Sequence, residues 1–302
     1  MTDDDPTGRL LREVFPGTHV GDPAYLRWLY RDSPFGPVVE TNVDDDAGRS
    51  AHYAVVPCTL DAPGGPVGAA LSLNTAVHER ARGGGMFTRI ADETFALARA
   101  AGVRAVIGVA NANSTPGFVR RLGFTLLGPL PATVLVPRPG RGGPAVRSAP
   151  ADPTALERDA DVAAVLAAGD PRGVHRAWTP ATLAWRLGAP QARYVVHRAP
   201  GIVAVTTGER RQGVPVAVLL AVLTDHDLER READAIVRSA CRAHRAPIAL
   251  HVGLNRRAGL RGVPLPERLR PSPLNLIFRW LDETQVAAPQ LDRFEFLDFD
   301  AY

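Results

Sequence analysis

The chain contains no lysine. All 35 positions counted as lysine or arginine among its 302 residues are arginine, against 32 acidic residues, which gives a formal net charge of +3. With 28 glycines and 27 prolines, this usage is typical of a GC-rich genome. The arginines are scattered and few are interleaved with aromatic residues, so we expect no nucleic-acid partner.

Cysteine is also scarce. Cys58 and Cys241 are the only two cysteines, one in each half of the chain, and both lie in apolar surroundings. This pattern excludes a disulfide framework and a cysteine-rich metal cluster, and we interpret both residues as buried structural thiols. We therefore expect no metal ion.

Long apolar runs are absent as well. No stretch approaches the roughly eighteen uninterrupted apolar residues of a membrane-spanning helix. The segment 1–6 is acidic, whereas a secretory signal would be basic. We expect a cytoplasmic protein with no membrane partner, and its length allows two domains of ordinary size.

A segment rich in proline and glycine divides the chain. Residues 137–153 contain five prolines and three glycines, a composition that disfavours regular structure. We predict a first domain over 1–137, a linker over 138–153 and a second domain over 154–302.

The first domain shows an alternation of strands and helices. The predicted elements, in order, are a helix over 22–31, strands over 37–43, 50–58 and 67–77, a helix after residue 85 that stops at Gly102, a strand over 104–110, a short helix over 116–122 and a strand region over 125–136.

The second half repeats this plan in a blurred form. Leu183-Ala184-Trp185 echoes Leu26-Arg27-Trp28, and an internal duplication explains the likeness. The elements predicted after it are strands over 193–197, 202–207 and 214–224, a helix over 227–244 and a strand over 247–252.

The run Arg80-Ala81-Arg82-Gly83-Gly84-Gly85 lies between a strand and an amphipathic helix. Three glycines let the backbone turn tightly and approach a ligand, and the positive end of the next helix points at the same place. The run therefore predicts an anion cradle suited to pyrophosphate. The alternative is a tight connection with no ligand.

Further motifs follow in a fixed order around this run. They are Trp28-Leu29-Tyr30 with Pro34 and Gly36, the strand His52 to Pro57, Thr75-Ala76-Val77-His78, and the segment Asn111 to Phe124. Together with the Arg-x-x-Gly-x-Gly order, they resemble the GNAT superfamily of N-acetyltransferases. The resemblance implies an α/β (α+β) fold with two tandem GNAT-like domains, each a mixed, mostly antiparallel sheet flanked by helices, the second being degenerate.

The resemblance also implies an acyl-CoA site in the first domain. The turn of such enzymes donates backbone N–H groups to the pyrophosphate, and the preceding strand pairs with the pantetheine arm. The residues that this assigns to CoA are Arg80, Arg82, Gly83, Gly84, Gly85 and Met86 at the turn, Ala76 and Val77 on the strand, and Asn111 and Asn113 at the end of the next strand. The two asparagines could instead cap the following helix.

One position departs from the family pattern. Many GNAT enzymes place a tyrosine four residues before the glycine of the Gly123-Phe124 pair, where it protonates the leaving thiolate, but this chain has Val119 there. Acid catalysis by a tyrosine from this position is excluded. A CoA thiolate can still leave with help from water or another side chain.

The reaction implied is direct acyl transfer to an amine, which needs a proton acceptor. The candidates lie on strands that face the expected cleft: Glu40, His52, Tyr53 and His78. Each could equally be a hydrogen-bonded structural residue, and the two histidines are favoured because their ordinary pKa is nearest neutrality. The terminal run Asp298 to Tyr302 is a further possibility.

The sequence thus predicts an acetyl-CoA-dependent N-acyltransferase that acts on the amine of a small molecule, amino sugar, natural product or peptide, as a monomer or homodimer of bacterial origin. One alternative is a CoA-binding sensor or partner subunit without catalysis. Another is an enzyme with a longer acyl donor, if the space beyond Ser72 and Asn74 is open. In the second half, Thr224-Asp225-His226-Asp227 replaces the glycine turn, and its carboxylates would repel pyrophosphate.

Overall fold

The computed structural model describes residues 5–140, 142–169, 173–266, 270, 272–282 and 287–299. The helices of this part of the chain are α1 (Pro6–Val14), α2 (Pro23–Tyr30), α3 (Met86–Ala100), α4 (Thr115–Arg121), α5 (Pro153–Glu157), α6 (Ala160–Ala168), α7 (Pro180–Leu187) and α8 (Arg230–Ala243), with short 3₁₀ turns at Glu79–Ala81 and Phe296–Asp298.

The strands are β1 (Val39–Asp45), β2 (Gly48–Asp61), β3 (Val67–Val77), β4 (Ala105–Ala110), β5 (Thr125–Pro129), β6 (Ala132–Leu135), β7 (Arg147–Pro150), β8 (Val174–Arg176), β9 (Val195–Ala199), β10 (Ile202–Arg211), β11 (Val214–Thr224), β12 (Ile248–Asn255), β13 (Val263–Pro264), β14 (Asn275–Trp280) and β15 (Leu291–Glu295). None of the helices among the described residues is long and apolar enough to cross a membrane.

Helix starts follow local capping rules. The Asp22 side chain accepts a hydrogen bond from the Ala24 N–H, and Pro23 is the first residue of the helix. Proline suits this position because an N–H group there would have no acceptor within the helix, and proline has none. Asp5 and Pro6 begin α1 in the same way, a helix that the sequence analysis did not predict. Helix α8 begins three residues later than the predicted residue 227.

The strands of both halves join in one mixed sheet. Its order is β5-β14-β4-β3-β2-β8-β15-β12-β11-β10-β9-β7, with β1 beside β2, β6 beside β12 and β13 beside β6. The pairs β3–β4, β11–β12 and β8–β15 are parallel and the other pairs are antiparallel. The predicted fold class, a mixed and mostly antiparallel sheet flanked by helices, is confirmed.

The two faces of the first-half sheet bury different cores. Side chains under α3 and α4 form an aromatic cluster that includes Tyr53, Phe95 and Phe118. The opposite face packs against α1, α2 and the second half in the largest apolar cluster of the molecule. Because side chains alternate along a strand, neighbours such as His52 and Tyr53 point to opposite faces.

Each half receives a strand from the other. Strand β6 of the first half pairs with β12 over Ala132–Leu135 and Ala249–Val252. In return, β14 of the second half lies between β4 and β5 and pairs with both. The arrangement β4–β14–β5 is thus matched by β12–β6–β13, and neither set of three strands comes from one half alone.

The two tryptophans of the repeated motif contact each other across the two halves. Trp28 on α2 and Trp185 on α7 stack with ring centroids 4.8 Å apart and an interplanar angle of 17°. Each indole N–H donates to the backbone carbonyl of the other tryptophan, at 2.9 and 3.1 Å. Such a reciprocal contact is what a two-fold relation between the halves requires, in line with the predicted duplication.

The proline-rich segment is less irregular than its composition predicts. Within it, β7 at Arg147–Pro150 pairs antiparallel with β9 at the edge of the sheet. An edge strand tolerates proline because one side of its backbone needs no partner. The domain and linker bounds themselves remain predictions.

Candidate active site

The glycine turn has a backbone that only glycine adopts readily. Gly83, Gly84 and Gly85 have φ of 93°, 55° and 76°, all in the left-handed region. A Cβ at any of the three would meet no other atom within 4 Å, so the surface beside this backbone is open. Gly85 caps α3 without a side-chain hydrogen bond. The Met86 N–H donates to the Gly83 carbonyl at 3.2 Å, and the next N–H groups of the helix have no intrahelical acceptor. The arrangement suits an anion.

The two arginines of the turn have different surroundings. Arg80 donates to an Asp45 carboxylate oxygen at 2.9 Å and to the Arg49 carbonyl at 3.1 Å. The hydrogen bond from Arg80 lowers the pKa of Asp45. Arg82 is 59% exposed and lies 3.5 Å from Glu79. The Arg82 Nε also donates to the Val77 carbonyl at 3.4 Å. Arg82 is thus the more exposed guanidinium beside the turn, while Arg80 ties the turn to the β1–β2 hairpin.

Strands β3 and β4 separate just before the turn. They pair over Ala69–Ser72 and Ala105–Gly108, whereas β3 continues to Val77 with β2 on its other edge. The edge of β3 that includes Ala76 and Val77 thus faces the gap. A backbone edge of this kind can pair with an extended amide-containing ligand as an added strand would.

A bulge lies at the apex of this gap. Leu73 is opposite Ala54 and Ala76 is opposite His52, so Asn74 and Thr75 together face the single residue Tyr53. Asn74 has φ of 51°, a left-handed conformation that asparagine tolerates better than most residues. A bulge re-aims the backbone and leaves it outside the ladder.

A chain of polar side chains leads from the bulge into the protein. The Asn74 Nδ2 donates to the Tyr30 Oη at 3.2 Å, and Tyr30 Oη lies 2.8 Å from the His52 Nε2. On the other side of the ring, His52 Nδ1 is 2.7 Å from Asn42 Oδ1 and 3.6 Å from Glu40 Oε2. We call these five residues the Asn74 network.

Burial fixes the state of this histidine. His52 is fully buried, and desolvation, with a smaller effect from Arg49, lowers its pKa to about 3. The neutral ring then donates from Nδ1 to Asn42 and accepts at Nε2 from the Tyr30 hydroxyl. Such a ring is a weak proton acceptor at neutral pH, and its geometry suits it to hold Tyr30 and, through it, the bulge.

The other two candidate bases lie apart from the Asn74 network. Tyr53 points to the α3 face, where its hydroxyl lies 2.9 Å from the Ser72 Oγ and burial raises its pKa. His78 caps the 3₁₀ turn: its Nδ1 accepts from the Arg80 N–H at 3.2 Å and its Nε2 lies 3.4 Å from Glu13. The structure thus brings together Glu40 and His52 but not Tyr53 or His78.

The asparagines after β4 shape a turn. The Asn111 Oδ1 accepts from the N–H groups of Asn113 and Ser114 at 3.0 and 2.9 Å, which forms an Asx turn just before α4. Ser114 caps α4 without a side-chain hydrogen bond, so the choice between capping and CoA contact stays a prediction. Both asparagines are exposed. Of the terminal run, Asp298 is buried with Oδ1 3.0 Å from the Trp178 Nε1, and residues 300–302 lie outside the described residues.

Sequence reasoning missed three members of the Asn74 network as site residues: Tyr30, Asn42 and Asn74. Asn74 carried the best signal, because asparagine within an otherwise apolar strand often marks a left-handed bulge. Tyr30 and Asn42 carried none, since their roles depend on packing of α2 and β1 against β2.

In the second half, the matching gap between β11 and β12 is filled. A Glu295 carboxylate oxygen accepts from the Val222 N–H of β11 and from Asn255 Nδ2 of β12, at 3.2 and 3.0 Å. The same amide donates to the Val222 carbonyl at 2.8 Å. In the second half, side chains of the protein therefore bind the backbone groups of β11, whereas the corresponding edge of β3 in the first half stays open.

The turn after β11 has the opposite polarity to the glycine turn. Its carbonyls at Thr224 and Asp225 accept from the Arg257 guanidinium at 3.1 and 2.8 Å. Carbonyl oxygens that face a cation leave no N–H cradle for a phosphate. The turn therefore lacks the exposed N–H groups of the glycine turn, and repulsion of pyrophosphate by its carboxylates stays a prediction.

The sequence comparison concerns this same region. Residues 43–127 match the model of a family described as the acetyltransferase (GNAT) domain. They run from β1 into β5 and include the bulge, the open edge and the glycine turn. The chain carries a GNAT domain. A search of curated proteins finds no match.

Solved structures extend the likeness beyond the GNAT domain to most of the chain. A GCN5-related N-acetyltransferase from Anabaena variabilis has a TM-score of 0.65 at 12% identity, over 91% of this chain and 70% of that one. One from Kribbella flavida has 0.62 at 15%, over 93% and 69%. N-myristoyltransferase of Saccharomyces cerevisiae with bound myristoyl-CoA has 0.57 at 12%, over 92% and 81%. At such identities the likeness shows the fold.

Proposed function

We propose that this protein is an acyl-CoA-dependent N-acyltransferase that transfers the acyl group directly to a primary amine of a small molecule or peptide. The proposal rests above all on one observation. Within a GNAT domain, an open left-handed glycine turn at the start of α3 adjoins a strand edge that has no partner strand beyond Ser72. Such a site offers N–H groups to a pyrophosphate and a backbone edge to the amides of pantetheine.

We assign the pyrophosphate to the turn residues Arg82, Gly83, Gly84, Gly85 and Met86. Ala76 and Val77 then pair with the pantetheine arm, which places the thioester near the bulge. A backbone N–H of the bulge stabilises the oxyanion that forms when the amine attacks the carbonyl. Holding both reactants at this apex supplies much of the rate.

The Asn74 network acts on the bulge in this proposal. Tyr30 and His52 hold Asn74 in its left-handed conformation, so that the donor N–H stays aimed at the thioester oxygen. Glu40 is the carboxylate of the network, with its side chain 21% exposed, and accepts the proton of the attacking amine through water. The CoA thiolate leaves without a tyrosine, since Val119 stands at that place on α4.

The substitution Gly83→Asp tests the assignment of the turn. It places a carboxylate beside the expected pyrophosphate and strains the backbone, so we expect CoA affinity measured by calorimetry to fall at least about tenfold, or 1.4 kcal/mol. Gly65→Asp is the matched control, because Gly65 also has a positive φ of 103° and open space around it but lies in the turn between β2 and β3, at the opposite end of β3 from the glycine turn. Equal CoA affinity in both variants would contradict the assignment.

Transfer itself needs a separate measurement. Mass spectrometry of a panel of amines incubated with acyl-CoA should show an acylated product that depends on the protein. CoA binding without transfer to any amine would favour the alternative, a CoA-binding sensor.

A further inference from the structure

An apolar cleft opens on one face of the sheet where β3 and β4 separate. Its volume is about 820 Å³, and Leu73 and Val109 form its wall at the apex of the gap. From there it extends past Leu250 of β12 to the β10–β11 hairpin at Gln212. The cleft therefore begins where the thioester of a bound acyl-CoA would lie and continues between the two halves of the molecule.

The lining has the composition of a site for a hydrocarbon group. Thirteen of its seventeen described lining residues are apolar, and Leu73, Val109 and Leu250 are only half buried. A cleft of this size that leaves so many apolar side chains in contact with water is typical of a ligand site.

The charges of the lining do not suit a cationic acceptor. The described lining residues include two arginines, Arg211 and Arg270, and no carboxylate. Arg211 donates to Glu209 at 2.6 Å and Arg270 donates to the Leu265 carbonyl at 2.7 Å. A polyamine or amino sugar would find cations and hydrocarbon here, without the anionic partners that it needs.

The opposite face of the same gap is closed. Ser72 and Tyr53 share a hydrogen bond there, and the ring of Tyr53 packs against Phe87 and Phe118 with centroids about 6.4 and 6.5 Å apart. Gly108 is so close that a Cβ would lie 3.3 Å from Ser72. A group that extends from the thioester beyond two carbons thus has space on the cleft side of the gap and is blocked on the Tyr53 side.

We propose that this cleft binds the hydrocarbon chain of a fatty acyl-CoA donor, so that the substrate class is a medium-chain or long-chain acyl-CoA. This rests on the proposed function, because it takes the CoA moiety to occupy the glycine turn and the open edge of β3. A methylene group is about as large as a water molecule, whose share of the liquid is about 30 Å³. The cleft therefore accommodates a chain of about ten or more carbons.

The test is a series of dissociation constants for free CoA and for acetyl-, octanoyl-, lauroyl- and palmitoyl-CoA, measured by calorimetry on the full chain below their critical micelle concentrations. Each buried methylene can add up to about fourfold in affinity, so we expect lauroyl-CoA to bind at least about tenfold more tightly than acetyl-CoA. Equal constants along the series would overturn the inference and leave the proposed function intact. Absence of CoA binding would overturn the proposed function as well.

Leu250→Trp fills the cleft away from the turn. In this variant the affinity for acyl-CoA should no longer rise with acyl-chain length, while free CoA binds as before. Leu97→Trp is the matched control: Leu97 is 53% exposed on α3, so the affinity of this variant should still rise with chain length. If Leu250→Trp does not fold, the wild-type series still decides the question.

A second experiment measures the KM of amines of increasing alkyl length with acetyl-CoA as donor. If this KM falls with amine length while the dissociation constants of the acyl-CoA series stay equal, the cleft binds the acceptor and the proposal is overturned.

Discussion

At the residue scale, two buried imidazoles couple stability to pH. Burial lowers the pKa of His52 to about 3 and that of His197 to about 4, from an ordinary 6.5. His197 is held between Ser148 and Thr206 at 2.7 and 2.8 Å, much as His52 is held between Asn42 and Tyr30. Both rings are neutral in the folded protein and would take up a proton on unfolding in mild acid.

We predict that the free energy of unfolding falls as pH drops from about 6.5 to about 4. Over this range the unfolded chain binds protons that the folded chain does not. Each imidazole therefore lowers the free energy of unfolding by about 1.4 kcal/mol for each pH unit of acidification, once the pH is well below 6.5. Urea unfolding across the pH range measures the slope. In His52→Gln the free energy of unfolding should depend less steeply on pH, by the amount that corresponds to the uptake of about one proton on unfolding. An unchanged pH dependence in this variant would show that His52 is charged or solvated in the folded state.

At the element scale, the glycine turn and its counterpart in the second half differ in what they present to a ligand. The first offers N–H groups beside an open strand edge, and the second offers carbonyls already bound to Arg257 beside a gap occupied by Glu295. The same succession of strand, turn and helix therefore gives one turn whose geometry suits an anion and one turn whose backbone groups are already bound within the chain.

We predict that the chain binds one CoA. Calorimetry should give a stoichiometry near one per chain for the wild type and for Asp225→Ala, because removal of one carboxylate opens neither the Arg257 contacts nor the Glu295 contacts. Two sites in the wild type would contradict the assignment of the second half.

Local pattern predicted these elements better than it predicted their partners. The strand over 67–77 and the strand over 214–224 agree with the structure to the residue, since each is an apolar run with glycine or charged residues at its ends. The link from Asn74 through Tyr30 to His52 could not be predicted, because it joins three elements that are distant in sequence. Nor could the place of β14, whose partners β5 and β4 lie about 150 and 170 residues away.

At the scale of the whole molecule, the exchange of β6 and β14 makes the halves interdependent. Strand β14 lies between β4 and β5 and is the neighbour that they share, and Phe278 at its centre is fully buried. Without it, β4 and β5 would each lose a partner and an apolar edge would be exposed.

We predict that a fragment of residues 1–137 neither folds cooperatively nor binds CoA, although it contains every residue assigned to the CoA site. Circular dichroism with thermal unfolding checks the fold and calorimetry checks binding. Co-expression with a fragment of residues 138–302 should restore both. A cooperative transition and full CoA affinity in the first fragment alone would show that β14 is dispensable.

The exchanged strands also bear on how such a molecule can change over generations. The strand that lies between β4 and β5 is encoded after residue 270, so deletion of the second half would also remove part of the first-half sheet. Substitutions in β14 are therefore constrained by the packing of β4 and β5, whichever half carries the function.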